Sequence, residues 1–187
     1  SSILARLKRF DAAMALQKQV AQARTRLLGP QHPDTLFIQL NRAATLQQAG
    51  QPKAAMVQLD AFFPLGRKVL GDKHPQVQMG YDIRAQAAEA LGDKALAIAS
   101  YRELLALREA ALGAQDIKTI DAAWNLEGLL RQRGEVAAAD ALRNRYVVPL
   151  LQAKPETLDA DHVRMVNNIR DTEDSEAQVS THRPQLR

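Results

Sequence analysis

The side chains best suited to chemistry near neutral pH are four histidines, His32, His74, His162 and His182, in a chain with no cysteine. Imidazole serves as metal ligand and proton carrier, so these are the first residues to weigh. His32 and His74 fall in equivalent His-Pro dipeptides 42 residues apart, and neither has a second histidine or a carboxylate at metal-ligand spacing. Each is expected to bond to its own turn. The carboxylate pairs Asp82/Glu89 and Asp121/Glu127 have no histidine or polar cluster beside them to complete an acid/base site. Neither a glycine-rich phosphate loop nor a Gly-x-Ser-x-Gly elbow occurs. Without cysteine, disulfides and thiolate-bound metals are excluded. The expectation is therefore no catalytic residue, no metal and no cofactor: the chain is not an enzyme, and any catalytic domain lies outside this stretch.

The elements that such residues would sit on come from composition and repetition. In 187 residues, 46% are apolar and 25% charged, the balance of a soluble globular protein, while only 4% are aromatic. Plentiful alanine with few β-branched and aromatic residues favours closely approaching helices over a sheet core. No apolar run reaches the roughly 20 residues of a membrane span. Leu28-Gly29, Leu70-Gly71 and Leu112-Gly113 recur at 42 residues, as do Gly50, Gly92 and Gly134. Ala54-Ala55 returns as Leu96-Ala97 and Ala138-Ala139; His32-Pro33 returns as His74-Pro75 and lapses to Asp116-Ile117. Two glycine ladders in one register define a repeat, and each unit reads as two helices closed by glycine.

The first helices are expected at Asp34–Ala49, Gln76–Leu91 and Ile117–Arg133, and the second at Lys53–Leu70, Lys94–Leu112 and Glu135–Leu151. Before them, Phe10–Leu28 matches a second helix and Ser1–Lys8 the remnant of its first. After them, Thr157–Arg170 matches a further first helix. This predicts a partial unit over 1–28, units at 29–70, 71–112 and 113–154, and a terminal helix at 155–170. A polar, non-periodic tail, 171–187, is expected to be disordered. Pro64, inside a second helix, should kink or break it, and Pro149 should end its own. One helix pair cannot bury its apolar stripe alone, so stacked pairs must share a core.

Leu28-Gly29-Pro30-Gln31-His32-Pro33-Asp34-Thr35-Leu36, followed in order by Asn41, Ala43-Ala44, Gly50 and Ala54-Ala55, resembles the tetratricopeptide repeat. It is similar to the 42-residue variety of kinesin light chains and many bacterial signalling proteins. The likeness spans roughly residues 1–170. It departs at Arg42 and Arg84, which stand where an apolar residue is usual, and in the third unit's lost His-Pro. The resemblance implies an all-α, right-handed superhelical solenoid of antiparallel helix pairs, whose first helices line a concave, peptide-receiving surface. By register it places Phe37, Leu40, Asn41, Ala44 and Gln47 on that surface, then Met79, Asp82, Ile83, Gln86 and Glu89, then Asp121, Trp124, Asn125, Gly128 and Arg131. The partner-binding residues it implies are Phe37, Asn41, Gln86, Trp124, Asn125 and Arg131. Asparagine can both donate to and accept from a peptide backbone, and Trp124, the single tryptophan, is of the type that anchors interfaces.

The implied function is a protein–protein interaction module that holds a protein or peptide, the regulatory part of a larger bacterial signalling protein in the cytoplasm. The start, Ser1-Ser2-Ile3, has neither methionine nor a signal-peptide pattern, in keeping with numbering that begins inside a longer protein. Charge supplies the rival reading. The net charge of +4 divides into +7 before Pro155 and −3 from there onward, so a basic body could meet nucleic acid. Asp82, Glu89, Asp121 and Glu127 would interrupt its basic stripe. Self-association through the end helices is a third reading, and no membrane partner is expected.

Overall fold

The computed structural model describes the backbone of residues 2–181 and the side chains of residue 12 and residues 14–175. His182 and the rest of the tail beyond Thr181 lie outside the described residues. Every regular element among the described residues is helical, and the chain divides into two compact units, residues 1–111 and 112–187.

The first unit holds α1 (Ser2–Leu28), α2 (Pro33–Gln48), α3 (Pro52–Leu70), α4 (Pro75–Ala90) and α5 (Lys94–Leu112), which ends at the boundary. Starts and stops follow local chemistry. Pro33 and Pro75 stand in first turns, where a missing N–H costs nothing. The turns between helices are made by Gly29, Gly50, Gly71 and Gly92, all at φ between 72° and 87°, a region closed to most side chains. The core is built from Leu36 and Leu40 of α2, Leu59 and Phe62 of α3, and Ile98 and Leu104 of α5, all fully buried. Leu46, Ala55 and Ala87 form a further cluster in which alanines let three helices approach. Phe62 occupies a hollow left by glycine: a Cβ on Gly66 would lie 2.7 Å from its ring, and one on Gly80 3.1 Å.

Two expected breaks are absent here. Helix α3 runs through Pro64 without a break. Pro64 and Asp60, whose carbonyl loses its partner, are both exposed, so water can take over the missing bond while Phe62 and Phe63 hold the buried side. Helix α1 is likewise one continuous element rather than a remnant plus a second helix. The register of Gly50 projects back onto Lys8, and without a glycine there the chain has no low-cost left-handed turn.

The second unit comprises α6 (Ile117–Gln132), α7 (Val136–Leu142), a π-helical turn (Arg143–Val147), α8 (Val148–Gln152), a 3₁₀ turn (Pro155–Thr157) and α9 (Ala160–Thr181). Gly113 and Gly134 make the turns before and after α6, at φ 90° and 81°. The expected helix over 135–151 runs on to Gln152 with a π turn inside it, and Pro149, expected to end it, stands instead in the first turn of α8. Pro149 cannot donate to the carbonyl of Arg145, and Val148 instead closes a wider turn onto the carbonyl of Arg143. Ile120, Val147 and Leu150 pack against Met165, Val166 and Ile169 of α9, flanked by Ile117, Trp124, Leu151 and Leu158.

The tail also differs from expectation. Residues 171–181 continue α9 instead of leaving it at Arg170. The glycine register now projects onto Glu176, so no stop signal exists. Thr172 and Ser175 return their hydroxyls to the carbonyls of Asn168 and Asp171, and Glu173 pairs with Arg143.

Candidate functional site

His32 and His74 have a structural task. Nδ1 of His32 accepts from the backbone N–H of Asp34, and Nδ1 of His74 from that of Gln76, both at 3.2 Å. Each is the N-cap of its helix. Asp116 performs the same task for α6 through the N–H of Lys118 at 2.9 Å, so the unit that lost His-Pro kept the cap. Among the described residues no three His, Cys, Asp or Glu side chains converge on a metal-sized site.

In the first unit the implied binding residues remain available on the first helices. Phe37 is 41% exposed, a large apolar side chain left on the surface of α2. Asn41, one turn further along, is half-buried, as are Ala44 and Gln47. On α4, Gln86 is exposed and donates to Asp82 Oδ1 at 2.9 Å, while Arg108 of α5 donates to Asp82 Oδ2 at 2.9 Å. Asp82 is thereby held as the acceptor between an amide and a guanidinium. Arg84, the residue at odds with the repeat pattern, lies 4.8 Å from the ring centres of both Phe63 and Tyr81 and donates from Nε to Ser100 Oγ at 2.9 Å. Its cation is housed by aromatic faces instead of a carboxylate. Burial pushes its pKa below the usual arginine value, yet a guanidinium keeps its charge in proteins.

The second unit uses its implied binding residues differently. Trp124 is half-buried against the core cluster shared with α9, with the Arg143 guanidinium 6.0 Å from its ring centre. Asn125 donates one turn back to the carbonyl of Asp121 at 3.0 Å. Arg131 bonds to Glu127 at 2.8 Å and to Asp140 at 2.7 Å, and the hydrogen bond to Glu127 is the main reason its pKa is raised. Gly128 is open, with no atom within 4 Å of where its Cβ would be. Glu127 is only 2% exposed. Its Oε1 is shared by Arg131 and, at 3.7 Å, Arg143, which also pairs with Glu173 of α9. The structure therefore keeps Phe37, Asn41 and Gln86 in one unit and Trp124, Asn125 and Arg131 in the other.

Sequence reasoning took Glu127 as an acid interrupting the basic stripe, whereas it is buried, and it passed over Arg143; a signal for the pair existed. By repeat register Glu127 is equivalent to Ala43 and Ala85, and Arg143 to Leu59 and Tyr101. In the same way Asp82 with Arg108 is equivalent to Leu40 with Gly66 and to Trp124 with Leu150. Opposite charges that replace apolar residues together at two facing positions mark an internal pair.

No helix among the described residues is long and apolar enough to cross a membrane. Residues 1–60 match the family model described as tetratricopeptide repeat. No curated protein matches the chain. Among solved structures, a Podosopora anserina kinesin-light-chain protein with nearly identical TPR-like repeats is similar, at a TM-score of 0.73 and 20% identity, over 95% of this chain and 91% of that one. A point variant of that protein is similar over 94% and 87% of the two chains, with a TM-score of 0.74 and 19% identity. BtubC (BKLC) from P. vanneervenii is similar at a TM-score of 0.68 and 17% identity, over 81% of this chain and 61% of its own. Tetratricopeptide repeats are, as a class, protein-interaction modules without catalytic groups of their own. The family match covers residues 1–60, and the chain has the fold of tetratricopeptide-type helix pairs in the kinesin-light-chain-like form.

Proposed function

We propose that the chain binds a protein or peptide along its first-helix faces, as the regulatory part of a larger bacterial signalling protein. The observation that carries this is Phe37, a large aromatic side chain left exposed on α2 beside Asn41, with Gln86 exposed on α4. An aromatic anchor beside amides that pair with backbone is the chemistry of peptide capture, and an aromatic placed in water without a partner is otherwise unfavourable. The alternative of nucleic-acid binding is disfavoured by local neutralisation of the basic body. Arg24, Arg67, Arg108, Arg131 and Arg143 all face carboxylates.

The test begins with capture of the partner from the native lysate and measurement of its affinity. Phe37→Ala should then weaken binding about tenfold or more while leaving the thermal midpoint nearly unchanged, because the side chain is not part of the core. Gln86→Ala should weaken it by less. Undiminished binding by a folded Phe37→Ala variant would eliminate the first-helix face. A steep loss of affinity with added salt, together with binding to DNA or RNA, would favour the nucleic-acid reading.

A further inference from the structure

Among the described histidines His162 stands apart, because both of its ring nitrogens meet acceptors. Nδ1 lies 2.8 Å from Asp159 Oδ1, and Nε2 lies 3.2 Å from the backbone carbonyl oxygen of Gln115. A neutral imidazole carries one N–H and can donate to only one of them; the imidazolium donates to both. Asp159 belongs to the N-terminus of α9, where the same oxygen also accepts the N–H groups of Asp161 and His162 at 2.9 Å. Gln115 lies in the loop that leads into α6. The ring therefore joins the start of the last helix to the start of the first helix of its unit.

We infer that His162 is a proton-operated clasp: when doubly protonated it ties α9 to the loop before α6, and when neutral it releases one of the two ties. The charged groups around it are Asp159, Asp161 with its partner Arg164, and, across the junction, Asp116. The first turn of a helix disfavours a cation, so the carboxylates must outweigh that field. The hydrogen bond that His162 donates to Asp159 raises the pKa of His162 above its ordinary value, with the Gln115 carbonyl and Asp116 adding to it, against a lowering by burial. Asp159 is correspondingly lowered, chiefly by its backbone bond to His162. A group whose pKa is higher folded than unfolded stabilises fully below its unfolded pKa, and that stability fades as pH rises through the folded one. The clasp is closed in mildly acidic solution and opens towards alkaline pH. What it holds in place is the apolar seam of Met165, Val166 and Ile169 over Ile120, Val147 and Leu150.

The molecule contains its own reporter, since Trp124 is the single tryptophan and packs against that seam. Proton NMR should show the His162 resonance, identified by its loss in His162→Gln, titrating at higher pH in the folded protein than in the urea-unfolded chain. Trp124 emission should change with the same midpoint, and the change should vanish in His162→Gln. Asp159→Asn keeps a competent helix cap but removes the negative charge, so it should stay folded and bring the folded midpoint down towards the unfolded one. A folded midpoint equal to or below the unfolded one overturns the proposal. So does a Trp124 signal that ignores the titration, or one that persists unchanged in His162→Gln.

Discussion

The two units bury the same helix-pair positions with different chemistry. In the first, residues 1–111, the position pair Ala43 and Leu59 is apolar and fully buried, Phe62 seats against Gly66 and Gly80, and proline inside α3 leaves the helix unbroken. In the second, residues 112–187, the equivalent of Ala43 is a buried glutamate and the equivalent of Leu59 is an arginine. There a proline coincides with a π turn that begins at Arg143 itself. One repeat pattern thus tolerates both a dry and an ionic solution at a single pair of positions, provided that the two residues change together. The comparison also explains where the proposed binding residues stay exposed. Phe37 and Gln86 are left at the surface because the first unit packs without them, whereas Trp124 and Arg131 are drawn into internal contacts.

The largest effect is expected at the aromatic seat. Phe62→Ala should destabilise by about 3–5 kcal/mol in chemical denaturation, because glycines leave the surrounding helices no side chains with which to fill the void. A loss under 1 kcal/mol would mean that the first unit is not organised around this ring. The ionic solution is tested next by a double-mutant cycle. Arg143→Leu leaves Glu127 buried with Arg131 alone and should cost about 2–3 kcal/mol; Glu127→Ala should cost less, since Arg143 keeps Glu173. The double variant, Glu127→Ala with Arg143→Leu, reproduces the Ala43/Leu59 combination and should recover most of the loss. Strict additivity of the two single changes would show that the two sites do not communicate. The smallest effect is at Gly128. With open space around it and an ordinary helical backbone, Gly128→Ala should stabilise by up to about 1 kcal/mol. Any accompanying loss of affinity for the captured partner would mark this point as one where a bound chain comes close to α6.

Helix type and turn positions were legible because they depend on short-range rules repeated in register. Glycine at a left-handed turn, proline in a first turn and an acceptor at the N-cap each act within a few residues, and a 42-residue period multiplies the signal. Two of the errors share a cause. The continuous α1 and the extension of α9 to Thr181 occur where the glycine register projects onto Lys8 and Glu176, so the missing stop was readable at both positions. The candidate site was legible as positions on a helix face, but not as accessible or engaged side chains. Arg131 and Asn125 satisfy the register and still bond internally, since their partners are chosen by packing.

What the amino-acid sequence determined by itself was the local grammar: helices, caps, turns and the repeat that makes them stack. What only the tertiary structure decided was the partner of each polar side chain. Arg84 lies between Phe63 and Tyr81, Arg108 meets Asp82, Arg143 is shared by Glu127, Glu173 and Trp124, and His162 reaches Gln115 across 47 residues. The physical reason is range. Backbone dihedral preferences and caps are settled within a turn of helix. The free energy of a buried charge depends instead on which groups the fold brings within a few ångströms and how much water it excludes, and neither is a property of any short stretch of sequence.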